Sequence, residues 1–230
     1  MKRTVTAEWL DTDAGTPAEI AAALKDLRRI NDWFGGISTT QWMLERVSKT
    51  LQKKTLSVLE VAAGSGYVAA AVRERLQARG IHFEITLLDR AFSHLTGPSS
   101  NVRPKRLARA VVGDALSLPF PDSSFDVVSC NLFVHHLSPA ELALFVGEAM
   151  RVCRAAMLIN DLIRDPIHLA LVFAGFPLYR SRITRHDAPA SVRQAYTEQE
   201  IKEILTGAGV KRLEIHKHYL FRMGVIGWHA

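Results

Sequence analysis

A glycine-rich turn, flanked by an apolar run and a helical run, constrains this chain more than any other part of its sequence. The turn spans residues 60–66, and a helical pattern begins at Tyr67. This order of strand, turn and helix lets a ligand approach the backbone, because Gly64 and Gly66 have no Cβ and can adopt positive φ. Glu60 ends the strand, and its carboxylate favours a ligand with an amine or a positive charge over a pyrophosphate.

Apolar runs alternate with helical patterns along most of the chain. The predicted strands are 56–62, 82–88, 109–112, 125–130, 156–159, 210–218 and 219–228. This alternation predicts a mostly parallel sheet with helices on both faces, and the last two strands predict an antiparallel hairpin. The expected fold class is therefore α/β, a Rossmann-like, doubly wound, seven-stranded sheet.

Two helices are predicted ahead of the first strand. The first begins after Thr16, which forms a capping-box pattern with Glu19 around Pro17. The second is expected at 39–53, after a break at 31–36. Further capping patterns at Ser138 and Thr197 predict the starts of two later helices.

The chain is expected to form one structural domain with two additions. Residues 1–54 would form an N-terminal helical region, and 55–230 would form the main domain. An insertion at about 165–196 is apolar in its first half and arginine-rich in its second, so it is expected to face a substrate. The alternative is a packing helix followed by a solvated loop.

The composition excludes several classes of protein. A chain of 230 residues that is 48% hydrophobic suits one substantial domain and is not disordered. No apolar run approaches the roughly 20 residues of a membrane helix, and residues 1–4 are not followed by the apolar core of a signal peptide. Cys130 and Cys153 lie in apolar surroundings without metal-ligand spacing. We therefore expect buried thiols, no metal and a cytoplasmic protein without membrane insertion.

The net charge of +6 allows two interpretations. Basic residues concentrate in two clusters, which are Arg103, Lys105, Arg106 and Arg109, and then Arg180, Arg182, Arg185 and Arg193 with His186. Neither cluster alternates with aromatic residues as a nucleic-acid stacking surface does, which disfavours a nucleic-acid partner. The clusters are either solvated surface or, for the second, a site for phosphate or carboxylate.

Polar residues follow the predicted strands, whereas the strand bodies are apolar. Ligands of open α/β sheets bind beyond the carboxyl ends of the strands, so these residues are candidate ligand contacts. They are Glu60, Asp89, Asp114, Asn131, His135, His136, Asn160 and Asp161. Asp89 lies 25 residues beyond Gly64, close to the spacing of a ribose-binding acid. Asp114 suits either an exocyclic adenine amine or a cap for the turn before Leu116.

Four stretches of the sequence together resemble one known family. Residues 59–66 read LEVAAGSG, Asp89 ends the second predicted strand, 113–128 read GDALSLPFPDSSFDVV, and 134–137 read VHHL. In this combination the chain resembles the class I S-adenosylmethionine-dependent methyltransferases, within them the small-molecule group that includes the ubiquinone and menaquinone biosynthesis enzymes. The resemblance covers about 55–160, although this family usually has Asp at position 60 and often Gly-Cys at 62 and 63.

The resemblance implies S-adenosylmethionine as the methyl donor and S-adenosylhomocysteine as the product, and it implies that the helical residues 1–54 form an N-terminal lid over the cofactor and the acceptor. Glu60 would hold the methionine end of the cofactor, Asp89 the ribose and Asp114 the adenine. Asn131 would lie near the sulfonium, and Arg29 would either pair with the cofactor carboxylate or lie on the surface. The complete expected set is Glu60, Ala62, Gly64, Ser65, Gly66, Asp89, Arg90, Asp114, Ala115, Asn131 and Arg29.

Methyl transfer depends mainly on alignment, and a general base helps when the acceptor is a hydroxyl or an acidic carbon. His135 and His136 are the candidate bases, each with the alternative of a structural histidine at a helix entry. The two halves of the insertion suit a small aromatic, quinone-like or polyketide-like acceptor with an acidic group, methylated by direct in-line transfer. The expected acceptor contacts are Trp33, Phe34, Phe173, Arg182, Arg185 and His186.

Three other functions stay open at this point. An RNA or other nucleic-acid methyltransferase fits the charge, although 131–134 lacks the Asn/Asp-Pro-Pro-aromatic motif of enzymes that methylate base amines. A nicotinamide-dependent oxidoreductase fits the glycine turn, although Glu60 would repel a pyrophosphate and no tyrosine has a lysine four residues later. The third is a cofactor-binding protein without catalytic activity. The sequence also leaves open the acceptor, the atom that is methylated and the oligomeric state, a homodimer included.

Overall fold

The protein is described by a computed structural model that covers residues 1–12, 14–90 and 109–229. The strands are β1 (Thr55–Val61), β2 (His82–Asp89), β3 (Ala110–Val112), β4 (Phe125–Asn131), β5 (Cys153–Leu162), β6 (Arg212–His218) and β7 (Arg222–Trp228). The described α-helices are α1 (Pro17–Trp33), α2 (Gly36–Leu51), α3 (Tyr67–Gln77), α4 (Pro139–Val152), α5 (Pro166–Ala174), α6 (Arg182–Gln194) and α7 (Glu198–Gly207). Of the first basic cluster, Arg103, Lys105 and Arg106 lie outside the described residues.

Capping boxes begin three helices at the predicted residues. The side chains of Thr16, Ser138 and Thr197 each accept a hydrogen bond from the backbone N–H three positions on, and the glutamate there accepts one in return. A helix start leaves such N–H groups unpaired, and a good cap contributes about 1 kcal/mol. These caps set where α1, α4 and α7 begin.

The seven strands form one sheet in the order β3-β2-β1-β4-β5-β7-β6. Strand β7 is antiparallel to both of its neighbours, whereas the pairs from β3 to β5 are parallel. The predicted Rossmann-like α/β fold with a C-terminal hairpin is confirmed. The strand order reverses between β1 and β4, where open α/β sheets bind their ligands. Because β7 runs the other way, its first residue reaches this same edge.

Two apolar layers cover the two faces of the sheet. On one face α4 and α7 contribute Leu142, Phe145 and Ile201 to a buried cluster. On the other face α2 and α3 contribute Met43 and Val72. Such double coverage explains why the strands read as continuous apolar runs rather than as alternating ones. Both cysteines are buried and free, as predicted.

Three element boundaries differ from the predicted ones for physical reasons. Helix α1 continues to Trp33, and α2 begins at Gly36 because Gly35 alone takes up the break, with φ of 84°. Strand β5 extends well beyond 156–159, since β4 and β7 both pair with it. The final hairpin turns at residues 219–221, so β7 is shorter than expected.

The first ten residues lie against α6 and the segment after β4. Arg3 donates hydrogen bonds to the carbonyl oxygens of His135 (2.9 Å), Leu137 (2.8 Å) and Gln194 (2.7 Å). The Asp187 carboxylate accepts from the backbone N–H groups of residues 9 and 10 at 2.9 and 3.0 Å. The N-terminal segment is thereby fixed across the ligand edge of the sheet. None of the helices in the described ranges is long and apolar enough to span a membrane.

Candidate active site

A cavity of about 1230 Å³ lies at the carboxyl ends of the strands, between the sheet, α1 and the insertion. The residues predicted to bind a cofactor border it, with the exception of Gly66. Its remaining lining is mostly apolar and comes from α1, α3, α5 and α6, from the N-terminal segment, and from residues 132–137 and 219–222. The space exceeds that of a typical single-ligand pocket, so it can hold a nucleoside-sized molecule and a second small molecule together.

Three residues with positive φ shape the glycine turn. The φ angles of Ala62, Gly64 and Gly66 are 53°, 53° and 66°. A Cβ on Gly66 would lie 2.6 Å from Leu87 Cδ1, so this glycine permits packing against β2 rather than ligand contact. A Cβ on Gly64 would meet no atom within 4 Å, which leaves the cavity side of the turn open. Ala62 bears a side chain in a conformation that costs roughly 1–2 kcal/mol for residues other than glycine.

Glu60 places a buried carboxyl group beneath the turn. It is 5% exposed, and its hydrogen bond within the described residues comes from the Ser129 hydroxyl on β4. Burial raises the pKa of Glu60 from 4.5 to about 7, and the hydrogen bond from Ser129 offsets this only in part. A buried carboxylate with one neutral donor is well suited to receive an ammonium group, which would compensate its charge.

Asp89 joins the end of β2 to the glycine turn. Its Oδ2 accepts a hydrogen bond from the Gly64 N–H at 2.7 Å, and the residue is buried at the cavity wall. The acid thus stabilises the turn that a cofactor would approach. A carboxylate has further lone pairs beyond the one used here, so it can also accept from a ligand hydroxyl.

Asp114 follows β3 and caps the next turn. Its Oδ1 accepts from the Leu116 N–H at 2.9 Å, which is the capping role weighed for it from the sequence. Asp114 and Ala115 both border the cavity. The capping bond uses one carboxylate oxygen, so the residue serves the turn and also presents an acceptor atom to a ligand.

Asparagine side chains connect β4 and β5 to the helices above. Asn131 Nδ2 donates to Asn31 Oδ1 at 3.3 Å, while Asn131 Oδ1 is buried without a partner in the described structure. Asn160 Nδ2 donates to the Gly36 carbonyl (2.7 Å) and to Thr40 Oγ1 (2.8 Å), which ties α2 to the sheet. Asn160 Oδ1 is also without a partner in the described structure, but only Asn131 borders the cavity.

His135 is held between two carboxylates. Its Nδ1 lies 2.7 Å from Asp161 Oδ1 and its Nε2 lies 3.5 Å from Glu8 Oε1. Burial alone would lower the pKa of His135, but the carboxylates of Asp161 and Glu8 outweigh it and raise the pKa to about 10. A histidine that is already protonated near neutral pH cannot accept a proton, so His135 fits the structural alternative.

His136 has a more open setting. Its Nδ1 lies 3.1 Å from Asp11 Oδ2, its side chain is 25% exposed, and its ring is tilted against that of His135 at 4.1 Å. Together with Glu8 and His135 it offers ligand atoms that all lie within 4.8 Å of one another, a spacing compatible with a metal ion. Both ring nitrogens of His135 face carboxylates, however, and its raised pKa keeps protons on them. A protonated ring nitrogen cannot bind a metal ion.

The residues predicted to contact an acceptor separate into two groups. Trp33 and Phe34 border the cavity and are 59% and 44% exposed. The others lie outside the cavity lining, and these are Phe173, Arg182, Arg185 and His186. Helix α6 turns its apolar and small residues inward, so its basic residues are directed away from the cavity. The expectation that an arginine-rich stretch faces the acceptor is therefore not supported by this arrangement.

Each of these outward residues has a partner elsewhere, and for Phe173 it is the Arg193 guanidinium, 5.5 Å from the ring centroid. Arg182 forms an ion pair with Glu19 on α1, and Arg185 donates to the Tyr179 carbonyl at 3.1 Å. The His186 ring stacks on Trp9 at 4.0 Å. Arg29, predicted for the cofactor carboxylate, does border the cavity, and its nearest carboxylate among the described ion pairs is Asp26 at 3.8 Å.

Several residues that border the cavity were not assigned to the site from the sequence, and three polar ones matter most, namely Glu8, Asn31 and Arg222. Glu8 and Asn31 had no signal, because their partners lie more than 90 positions away in the chain. Arg222 did carry one: it is a lone cation within the apolar run of β7. A charge in a strand that is otherwise buried indicates either an edge position or a site.

Comparisons with known proteins agree with this geometry. Residues 59–156 match a family described as a methyltransferase domain. The chain is 26% identical to the ubiquinone/menaquinone biosynthesis C-methyltransferase of Laribacter hongkongensis over 95% of its own length and 92% of that protein. This alignment extends across both the N-terminal helices and the insertion.

Solved structures support the same fold. The plantazolicin methyltransferase BamL, solved with a substrate analogue and S-adenosylhomocysteine, superposes with a TM-score of 0.62 at 18% identity, over 85% of this chain and 68% of that one. An S-adenosylmethionine-dependent methyltransferase from Aquifex aeolicus gives a TM-score of 0.54 at 18% identity, over 75% of this chain and 81% of that one. The motif, the strand order and these similarities agree with one another, and together they support a class I S-adenosylmethionine-dependent methyltransferase.

Proposed function

We propose that this enzyme binds S-adenosylmethionine along the edge formed by Glu60, Asp89 and Asp114. We further propose that it methylates a small acceptor with a flat, apolar body. The observation that carries the proposal is the row of three acids on adjacent strand ends, bordering one cavity with space for two ligands. The residues fit the cofactor, because Glu60 is a buried carboxyl group in need of a cationic partner.

The order of the acids matches the order of groups along the cofactor. Adjacent strands lie about 4.8 Å apart, so β1, β2 and β3 present acids at successive steps across the sheet. Glu60 would pair with the amine, Asp89 would accept from the ribose hydroxyls, and Asp114 would accept from the adenine amine. Gly64 leaves room beside the backbone for the methionine portion.

The acceptor side of the cavity has a different character. Helix α1 lines it with Ile20, Leu24 and Leu27, and α5 lines it with Leu171 and Val172. Such a lining binds an aromatic or quinone-like ring, as the name of the Laribacter hongkongensis relative also indicates for that protein. Residues 1–54 would act as the lid that separates both ligands from water.

In the proposed reaction, bound S-adenosylmethionine supplies an activated methyl group, and S-adenosylhomocysteine remains. The protein's own contribution is to align the acceptor with the sulfonium and to exclude water. His135 is a fixed cation in this scheme and does not take up a proton. His136, paired with Asp11, is the remaining candidate for a base where the acceptor must lose a proton.

Calorimetry tests the proposal. Titration of the purified protein with S-adenosylhomocysteine should give one site per chain, and titration with a nicotinamide dinucleotide should give no heat of binding. A protein that bound the dinucleotide and not the homocysteine compound would contradict the proposal. Transfer of a labelled methyl group to phenols and quinols, but not to RNA, would then separate a small acceptor from a nucleic-acid acceptor.

A further inference from the structure

Arg222 is a buried cation at the acceptor end of the cavity. It is the first residue of β7, opposite Leu162 at the end of β5, and it is 1% exposed. It borders the cavity. Its Nε donates to the Phe34 carbonyl at 3.3 Å, and its Nη2 donates to Asn31 Oδ1 at 3.2 Å. Its Nη1 is buried and has no hydrogen-bond partner among the described residues.

Such a setting is unusual for an arginine. Buried guanidinium groups are normally paired with a carboxylate, because an uncompensated charge is costly away from water. The two partners of Arg222 are neutral oxygens at long distances, and no ion pair within the described residues includes it. Burial lowers the pKa of Arg222 to about 10, against the influence of Asp161, so the group remains charged at neutral pH.

Asp161 is the carboxylate that raises the pKa of Arg222, but it already has other hydrogen-bond partners. Asp161 Oδ1 lies 2.7 Å from His135 Nδ1 and also accepts from the Leu162 N–H at 2.7 Å. Its Oδ2 accepts from the His135 N–H at 3.2 Å. Both oxygens therefore bond to groups other than the Arg222 guanidinium. The unpartnered Nη1 indicates that a ligand supplies the missing hydrogen-bond acceptor of this arginine.

We propose that Arg222 binds an anionic oxygen of the methyl acceptor, such as an ionised enol, an ionised phenol or a carboxylate. This inference rests on the proposed function and deepens it by naming the charge of the substrate. Asn31 connects the site to the predicted point of transfer, because its Oδ1 accepts from both Arg222 and Asn131. An anion on Arg222 would thus lie close to the predicted position of the sulfonium.

The cofactor's own carboxylate is the competing partner for Arg222. Strand β7 is three strands away from β1, which is about 14 Å at the usual strand spacing. The amine and carboxylate of the cofactor are attached to the same carbon atom. An amine at Glu60 therefore keeps that carboxylate near β1, and if the cofactor carboxylate nevertheless occupied Arg222, the protein with bound S-adenosylhomocysteine would show no preference for an anionic acceptor.

Aromatic surface beside Arg222 suits the body of such an acceptor. Trp33, Phe34 and Phe221 border the cavity, and the first two remain largely exposed. A flat ring could pack against these side chains while its charged oxygen reaches the guanidinium. This combination selects an acidic aromatic compound over both a neutral one and an aliphatic acid.

The test compares two ligands with the same ring system in the presence of saturating S-adenosylhomocysteine. The probes are 2-hydroxy-1,4-naphthoquinone, whose enol is ionised at neutral pH, and its neutral 2-methoxy analogue. The unmodified protein should bind the anion at least about tenfold more tightly, as expected for a charged hydrogen bond. Equal binding, or binding of neither probe, would overturn the inference.

Variants assign the preference to the residue. Arg222→Met should bring the two affinities within about twofold, whereas Arg222→Lys should keep part of the difference. Arg185→Met, which changes an arginine outside the cavity lining, should leave the preference intact. If Arg222→Met proves unfolded by circular dichroism, the unmodified protein and the lysine variant still decide the question. If the unmodified protein does not bind S-adenosylhomocysteine at all, that result contradicts the proposed function rather than the role of Arg222.

Discussion

The cofactor half of the cavity and the acceptor half are built from the chain in opposite ways. The cofactor half is local in sequence, since Glu60, Gly64 and Asp89 lie on one strand, one turn and the next strand. The acceptor half gathers segments from both ends of the chain, including Glu8 and Arg222. One fold can thus form its cofactor site from a short motif and its acceptor site from segments that are distant in the chain.

The largest effect is expected in the cofactor half, from Asp89→Ala. The change removes the 2.7 Å hydrogen bond to the Gly64 N–H and the proposed bonds to ribose. Each charged bond contributes about 1.5–3 kcal/mol, so affinity for S-adenosylhomocysteine should fall about a hundredfold or more by calorimetry. Asp122→Ala, at a 77% exposed acid paired with Arg151, is the matched control. An affinity within threefold of the unmodified protein would refute the ribose assignment.

The next effect belongs to the acceptor half, from Arg3→Ala. Three hydrogen bonds to carbonyl groups would be lost, together with the stacking of Arg3 over the Tyr196 ring at 4.3 Å. The free energy of unfolding should fall by about 2 kcal/mol in urea titrations, with little change in cofactor affinity. Lys2→Ala, at the exposed neighbouring position, should have almost no effect. Equal losses in both variants would mean that the segment is not fixed as described.

The pH dependence of cofactor binding probes Glu60. Because its pKa is raised to about 7, the carboxyl group is mostly neutral below that pH and cannot pair with an amine. Affinity for S-adenosylhomocysteine should therefore weaken as pH falls below about 7, by up to about tenfold per unit. Calorimetry between pH 5.5 and 8.5 measures this, and Glu60→Gln should bind weakly with a flat profile. A flat profile in the unmodified protein would exclude the pairing.

The stability of the unliganded protein should change in the opposite sense. A carboxyl group whose pKa is raised on folding binds protons more tightly in the folded state than in the unfolded state. The contribution of Glu60 to stability therefore decreases as pH rises from about 4.5 to about 7. In Glu60→Gln this part of the pH dependence of unfolding should disappear.

A smaller effect on stability is expected at Ala62, where the methyltransferases that the chain resembles often have glycine. Ala62→Gly relieves a side chain held at positive φ, so the protein should gain up to about 1 kcal/mol of stability. Ala63→Gly is the matched control, because Ala63 is not among the residues with positive φ and should lose stability instead. Urea titration of both variants measures the difference. Destabilisation by Ala62→Gly would show that the turn carries no strain at this alanine.

The smallest effect is expected for Arg182→Ala, outside the cavity. Its side chain is 61% exposed, and a surface ion pair of this kind contributes about 0–1 kcal/mol. The KM for the acceptor should change by less than twofold, whereas a cationic site at α6 would require a large increase. A rise of more than about fivefold would return the acceptor's acidic group to the arginine-rich stretch and away from Arg222.

The same contrast explains which features could be predicted from the sequence. The alternation of strands and helices, the glycine turn and the three acids at strand ends follow from patterns within about thirty residues, so apolar runs and capping signals were sufficient. The arrangement around His135 was not predictable, because Glu8 and Asp161 reach it from both sides across long stretches of chain. No local pattern distinguishes a base from a histidine held as a cation.

The arginine-rich stretch shows the limit most clearly. Composition indicated that its cations face the acceptor, but helical periodicity places them on the outer side of α6, and the cavity is lined by its other residues. Arg222 was overlooked because a single charge in a strand has no spacing partner. Only the packing of β7 beside β5 brings it to the ligand edge.

A crystal structure with bound S-adenosylhomocysteine tests the central claim most directly. The account predicts the amine of the ligand within hydrogen-bond distance of Glu60, the ribose hydroxyls at Asp89 and the adenine beside Asp114. It also predicts that the space between Trp33 and Arg222 remains free for an acceptor. A ligand bound elsewhere, or one whose amine lies away from Glu60, would contradict the account.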